Sequence, residues 1–266
     1  METDAIKSKK GKHHQLGEMT WEEAKKAYQE YDFVALVCAS HEQHSTHLPL
    51  LTDSIIGEYF ANRLAEEAER EGIIILLLPT LWLGYSEEHA NFPGTVTLSP
   101  HTLEDILLDV ARSLKRHGVK RFLVINSHGG NFPVVQLAVD RIERDIGLQA
   151  HLLNWTSFGD YPKSAVASER PEPLKINHAG DSETAMLMCA RPDLVRSEKM
   201  RTPKLKQLAI TRSWWGARYW EDFTDTGSGS DPHNPDVPAA EEFYKRAVSN
   251  SIYALKKDLS AENKNQ

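Results

Sequence analysis

Cysteine is nearly absent: Cys38 and Cys189 are the only two in 266 residues, each in an apolar stretch and neither in a C-x-x-C spacing. That excludes a disulfide framework and a thiolate metal site, and points to buried thiols in a reducing compartment. Long hydrophobic runs are missing too. Spanning a bilayer takes roughly 18 apolar residues, and the longest run, Ile73 to Pro79, is far shorter. Basic charge is in deficit, with 31 Lys and Arg against 38 Asp and Glu for a net charge of −7. The positive stripe of a phosphate-backbone binder is therefore absent, and nucleic acid is not an expected partner. The opening residues, from Met1 to His14, include four lysines but no apolar h-region, so they read as neither signal peptide nor membrane anchor. The expectation is a cytoplasmic protein in which residues 1–18 form a disordered basic lead-in and residues 19–260 a single domain, long enough to bury a substantial core.

What is present is alternation. Short apolar runs exchange with longer amphipathic segments, the signature of β-α units and a mainly parallel sheet. Strands are expected at Phe33 to Cys38, Ile73 to Leu78, Phe122 to Ile125 and Gln149 to Leu153. Helices are expected at Ser54 to Glu71, Pro100 to His117, Phe132 to Asp145, Ser182 to Ala190 and Ala239 to Leu259. Two connections, Tyr161 to Asn177 and Met200 to Pro238, are too long for simple turns, and such segments tend to be binding loops or subunit contacts.

Three polar clusters sit where these elements join. The first is Ser40-His41-Glu42-Gln43-His44-Ser45-Thr46-His47, closed by Asp53; its mixed carboxylate and imidazole donors suit zinc, manganese or iron better than calcium. The bland alternative is a polar surface loop. The second, Asn126-Ser127-His128-Gly129-Gly130-Asn131, follows the Phe122 strand. In open α/β sheets ligands collect beyond the carboxyl ends of strands, so both clusters should face one crevice. The alternative for His128 is a solvated histidine in a tight strand-to-helix turn. The third, His178-Ala179-Gly180-Asp181-Ser182-Glu183, opens a short helix. There Asp181 or Ser182 could be only the N-cap and Glu183 a first-turn carboxylate, but a dinuclear site needs more donors than the first two clusters supply.

Taken in order, Glu42-Gln43-His44 through Asp53, His89-x-Asn91-Phe92-Pro93-Gly94-Thr95, Asn126-x-His128-Gly129-Gly130-Asn131 and His178-Ala179-Gly180-x-x-Glu183-Thr184 resemble the creatininase (creatinine amidohydrolase) family, with a weaker match at the Asp231-Pro232 turn. The resemblance implies a layered α/β/α sandwich, a homo-oligomer that is often a hexamer, and two divalent metal ions bridged by an aspartate and a hydroxide. Zinc is the first expectation, with manganese or iron as alternatives. Carried over by position, Glu42 and His128 would hold one metal, His44 the other, and Asp53 would bridge. Creatininase itself takes a further glutamate two residues after the third-motif histidine, where this chain has Gly130. The Gly-Gly form is similar to other branches of the family, and Glu183 is assigned that vacancy, directly or through a water. His178 and Glu183 are the candidate catalytic residues, His178 as the proton shuttle, while His41 and His47 take supporting parts.

The resemblance points to a hydrolase of a small cyclic amide or formamide-type substrate. Creatinine itself is not expected, because Gly129 and the Leu174-Lys175-Ile176 stretch replace a tyrosine and a tryptophan of creatininase. Trp155 matches a family tryptophan near the site, with a core role as the alternative, and Lys175 and the Arg212 to Trp220 segment are candidates for contacting a polar substrate. Two competing readings are a ring-opening C–C hydrolase of a keto-cyclitol and a non-catalytic metal-binding or ligand-sensing protein. A catalytically dead relative would be expected to lose Asp53 or His128, and both are present.

Overall fold

A computed structural model describes residues 14–158, 178–206 and 219–262. Its centre is a four-stranded sheet of β1 (Phe33–Cys38), β2 (Ile75–Leu77), β3 (Arg121–Asn126) and β4 (Gln149–Leu153), in the order β2-β1-β3-β4. All three strand pairings are parallel, so each connection crosses over through a helix. The α/β class expected from the alternation is what the chain forms.

Because side chains alternate across a strand, each strand feeds two cores. Phe33, Ala35, Val37, Leu123 and Ile125 point to one face and pack with α2 (Thr52–Arg70), α5 (Asp181–Ala190) and α6 (Val237–Glu262). Val34, Leu36, Cys38, Phe122 and Val124 point to the other and pack with α3 (Pro100–Arg116) and α4 (Phe132–Arg141). All six residues of β1 are buried, as expected of a strand covered on both faces. The sheet is thus the middle of three layers.

The chain leaves β1 for β2 on one side, then returns past β1 to β3 on the other. Between the carboxyl ends of β1 and β3 lies the reversal of strand order where open α/β sheets bind ligands. Cys38 and Asn126 are register partners there, so the loops after both strands leave side by side.

Two features depart from the sequence reading. Residues 14–18 of the expected lead-in are held against the sheet: Leu77 N–H bonds to His14 O, His14 Nδ1 donates to Ile75 O at 2.8 Å, and Leu16–Glu18 form a 3-10 turn. A backbone bond to a strand edge outweighs the polar composition of that segment. The second is α1 (Trp21–Glu30), a helix the hydrophobic pattern did not show. Its signal is a capping box, in which Thr20 accepts from Glu23 N while the Glu23 carboxylate takes Thr20 N–H.

Candidate metal centre

Four elements deliver the polar clusters to one place. Glu42 and His44 lie on the loop after β1, Asp53 in the first turn of α2, His128 just after β3, and Glu183 in the first turn of α5. Gly57 lets α2 come this close, since a Cβ there would meet Ser127 Oγ at 2.6 Å and Val37 Cγ1 at 2.8 Å. Ser127 Oγ then donates to Asp53 O at 2.7 Å, and Ser40 Oγ to Asp53 Oδ2 at 2.5 Å. The Asp53 carboxylate is thereby fixed at the crevice floor.

Two sets of donors converge on it. Glu42, Asp53 and His128 offer ligand atoms within 4.8 Å of one another, and so do His44, Asp53 and Glu183. His128 Nδ1 stands 3.2 Å from both Glu42 Oε1 and Asp53 Oδ2. On the other side His44 Nε2 stands 3.2 Å from Asp53 Oδ1 and 3.7 Å from Glu183 Oε2. Asp53 turns one oxygen to each set, the arrangement of a bridging carboxylate.

The imidazoles are aimed by their outer nitrogens. His128 Nε2 donates to Tyr85 O at 2.9 Å and His44 Nδ1 to Glu42 O at 3.1 Å, so each presents the opposite nitrogen as a lone pair to the crevice. Without a cation, those nitrogens carry protons instead. Burial opposes the charge on His44, yet the facing Asp53 and Glu183 carboxylates raise its pKa to about 10. His128 is likewise raised despite burial, by Glu42 and Asp53. Burial pushes Glu42 up, but His128 and His89 bring it down to about 2; Asp53 is also lowered, chiefly by His44 against the cost of burial. Glu183 is raised to about 7 by burial, with His44 pulling the other way. Glu42 Oε2 is buried without a hydrogen-bond partner. An unpartnered buried carboxylate oxygen beside imidazoles that can exchange their inner protons for a cation is a donor set a divalent ion would satisfy, so the residues fit the metal pair.

His178 completes the rim. Its Nε2 lies 2.8 Å from Gln43 O and its Nδ1 3.7 Å from Glu42 Oε1. Burial lowers its pKa well below the usual value, helped by His89 and His44, so it is neutral at physiological pH.

A family model described as creatininase, creatinine amidohydrolase, matches residues 17–255. The chain belongs to the creatininase family. It is 28% identical to the creatinine amidohydrolase of Pseudomonas putida over 199 residues, 70% of this chain and 75% of that one. It is 31% identical to the mycofactocin precursor peptide peptidase of Mycolicibacterium smegmatis over 174 residues, 63% of this chain and 61% of that one. Among solved structures, a creatinine amidohydrolase (creatininase) superposes with a TM-score of 0.79 at 24% identity, covering 93% of this chain and 98% of that one. A putative creatinine amidohydrolase from Bacteroides fragilis reaches 0.80 at 24% identity, covering 93% and 96%. The creatininase fold is shared throughout.

Within the family, the departure at Gly130 has a steric basis. A Cβ there would meet His128 Nε2 at 2.5 Å and both Glu88 Oε1 and Tyr85 O at 2.6 Å. The space is filled by the acceptor that orients His128, while Glu183, on α5, stands 3.7 Å from His44 Nε2. Glu183 is a first-turn carboxylate of that helix and takes Ala179 N–H at 2.6 Å, a position compatible with its place in the donor set; the N-cap is Gly180, not Asp181 or Ser182. His47 supports the same turn, donating from Nε2 to Thr184 Oγ1 at 2.8 Å. Trp155 is a core residue, stacked on Phe60 at 4.4 Å and Tyr244 at 5.5 Å. Lys175, Arg212, Trp214 and Trp215 lie outside the described residues, whereas Trp220 packs on His89 at 5.1 Å and His178 at 4.9 Å. His89 belongs to the motif that carries the resemblance, which assigns it no part in the site. Its place beside Glu42, Gln43 and His178 comes from the fold, and only its neighbourhood in the His89-x-Asn91 motif could have marked it.

Proposed function

We propose that the protein is a dinuclear metal amidohydrolase that breaks the C–N bond of a small cyclic amide or a formamide. The observation that carries this reading is the pair of donor sets sharing Asp53. Glu42, Asp53 and His128 would hold one ion; His44, Asp53 and Glu183 would hold the other. When bound, two such ions supply Lewis acidity to a carbonyl and lower the pKa of water. Zinc is the proposed metal and manganese the second choice; solved creatininases include a zinc–zinc form and a manganese form.

The chain's own residues handle the proton. His178 is neutral, with Nδ1 turned to the crevice and Nε2 tied to Gln43 O. A neutral imidazole so placed takes the proton from the attacking water and returns it to the departing nitrogen. Trp220, over His178 and His89, shields that side from solvent.

A second reading is cleavage of a peptide C–N bond, favoured by the 31% identity to a peptidase. Ring opening at a C–C bond ranks below both, because the curated relatives are named as an amidohydrolase and as peptidases. We also place the protein in the cytoplasm as a homo-oligomer. Cys38 and Cys189 are free thiols, and the exposed Leu51, Trp82 and Val96 offer apolar surface near the crevice loops.

Metal analysis and a substrate screen test the reading together. The purified protein should carry about two divalent ions per chain and hydrolyse a member of a panel of cyclic amides, formamides, cyclic ketones and short peptides. Chelation should abolish turnover, readdition should restore it, and Asp53→Ala should lose both metal and activity. A fully metallated wild type inactive on the whole panel would sink the proposal.

A further inference from the structure

Gln43 stands between two imidazoles, and its amide has a fixed direction. Its Oε1 accepts Ser45 N–H at 2.9 Å, a bond made possible by the left-handed backbone of Ser45 at φ 59°. The NH2 end therefore faces three groups: Gly227 O at 3.0 Å, His89 Nδ1 at 2.8 Å and His178 Nε2 at 3.0 Å. Two amide hydrogens cannot serve all three. Gly227 O takes one, and Gly227 stays close because its φ of 82° suits glycine and a Cβ would meet Gln43 Oε1 at 2.0 Å. The second goes to whichever imidazole nitrogen carries a lone pair.

The remaining contacts decide which. His178 Nε2 lies 2.8 Å from Gln43 O, an acceptor that favours a hydrogen on that nitrogen while the amide hydrogen is taken elsewhere. His89 Nε2 lies 3.5 Å from Glu42 Oε1, which favours its hydrogen there and leaves Nδ1 to receive the amide. Trp220 holds the His89 ring in this plane, stacked at 5.1 Å with 10° between planes. The network closes in one pattern: Gln43 donates to His89, and His178 donates to Gln43 O, which leaves His178 Nδ1 as a lone pair facing the crevice.

The geometry points to His89 as a positioning residue that sets the tautomer of His178. Without the lone pair of His89, the second amide hydrogen has His178 Nε2 as its acceptor and competes there with Gln43 O; taking that nitrogen gives up the bond to Gln43 O and moves the His178 hydrogen to Nδ1. There it faces Glu42 Oε1, 3.7 Å away, and His178 can no longer accept a proton from that side. The consequence for catalysis rests on the proposed role of His178 as proton carrier; the tautomer itself does not.

The test is long-range 1H–15N spectroscopy of the imidazoles in the zinc-loaded protein, with steady-state kinetics alongside. Wild type should show His178 as the Nε2–H tautomer. His89→Phe keeps a ring for Trp220 but has no lone pair, so it should shift His178 to Nδ1–H. Its kcat should fall about 10–100-fold, the usual cost of removing such a partner, with KM and zinc content little changed. His89→Leu carries the same expectation should the Phe variant not fold. His89→Asn, which can offer an oxygen to the Gln43 amide, should restore Nε2–H. So should Gln43→Met combined with His89→Phe, because the competing hydrogen is gone. If His178 keeps Nε2–H in both His89→Phe and His89→Leu, the inference is overturned whatever the activity. If the tautomer switches as stated in a protein inactive on every substrate, the lock stands and the proposed function falls.

Discussion

At the level of single residues, the two histidines proposed as metal ligands are set by main-chain acceptors: His128 uses Tyr85 O and His44 uses Glu42 O. Such outer bonds fix both tautomer and ring angle. Gly130 belongs to this scheme although it has no side chain, because a Cβ would strike Tyr85 O and His128 Nε2. Gly130→Ala should therefore cost about 1–3 kcal/mol, as overpacking does, seen as a lower urea midpoint, and should weaken metal binding by displacing His128. Gly129 has nothing within 4 Å of its Cβ position, so Gly129→Ala should leave both quantities near wild type. Equal losses from the two variants would show that the steric reading of Gly130 is mistaken. By the same reasoning Gly130→Glu should not rebuild the creatininase ligand, since its stem has no room.

Among the elements, α2 matters most for the site, because its first turn carries Asp53 while its body packs in the core. Phe60, Ala61, Leu64, Ala65 and Ala68 bury one stripe at helical spacing, each large apolar side chain contributing about 1.5–3 kcal/mol of transfer free energy. That stripe fixes the roll of the helix, and Gly57 its distance from Ser127 and Val37. Gly57→Ala should push the amino end of α2 away from β1 and β3. Helix propensity would gain about 1 kcal/mol from the change, so a net loss of stability would report the clash alone. The expected outcome is a lower melting temperature in the metal-free protein together with metal affinity reduced at least tenfold, measured by competition with a chelator. A variant more stable than wild type with unchanged affinity would refute this.

For the molecule as a whole, the proposed metal centre would link metal, protons and stability. Without metal, His44 has a folded pKa of about 10 against an ordinary 6.5, so its contribution to stability is full below about 6.5 and lost as pH rises through about 10. Glu183, raised from 4.5 to about 7, acts in the same direction, its contribution fading as pH rises through about 7. Glu42, lowered from 4.5 to about 2, contributes above about 4.5 and loses that as pH falls through about 2. The chelated protein should therefore lose thermal stability steadily from pH 6 to 9. Metal binding should tighten over the same range, because the ligands must give up protons to bind. The gap in melting temperature between loaded and chelated protein should widen with pH, and a gap that narrows would contradict the electrostatic picture. Much of this protein was legible in the chain itself. Periods of 2 and 3.6 in apolar residues placed the four strands and five of the helices, since burying one face demands that spacing. Residue type and motif mark Glu42, His44, Asp53, His128 and Glu183 as candidate donors, because few side chains ligate divalent metals, and the fold gathers them into two sets around Asp53. The capped helix Trp21–Glu30 escaped the pattern, having little to bury; only Ala27 in it is buried. What the chain could not reveal is every relation between residues far apart in it. The two donor sets on either side of Asp53, the fit of Gly130 against Tyr85, the burial of Trp155 and the contact of His89 with Gln43 and Trp220 join segments tens of residues apart, and a linear pattern records only neighbours. Local propensity and ligand chemistry belong to the sequence; which nitrogen faces which oxygen was decided by packing the helices onto the sheet.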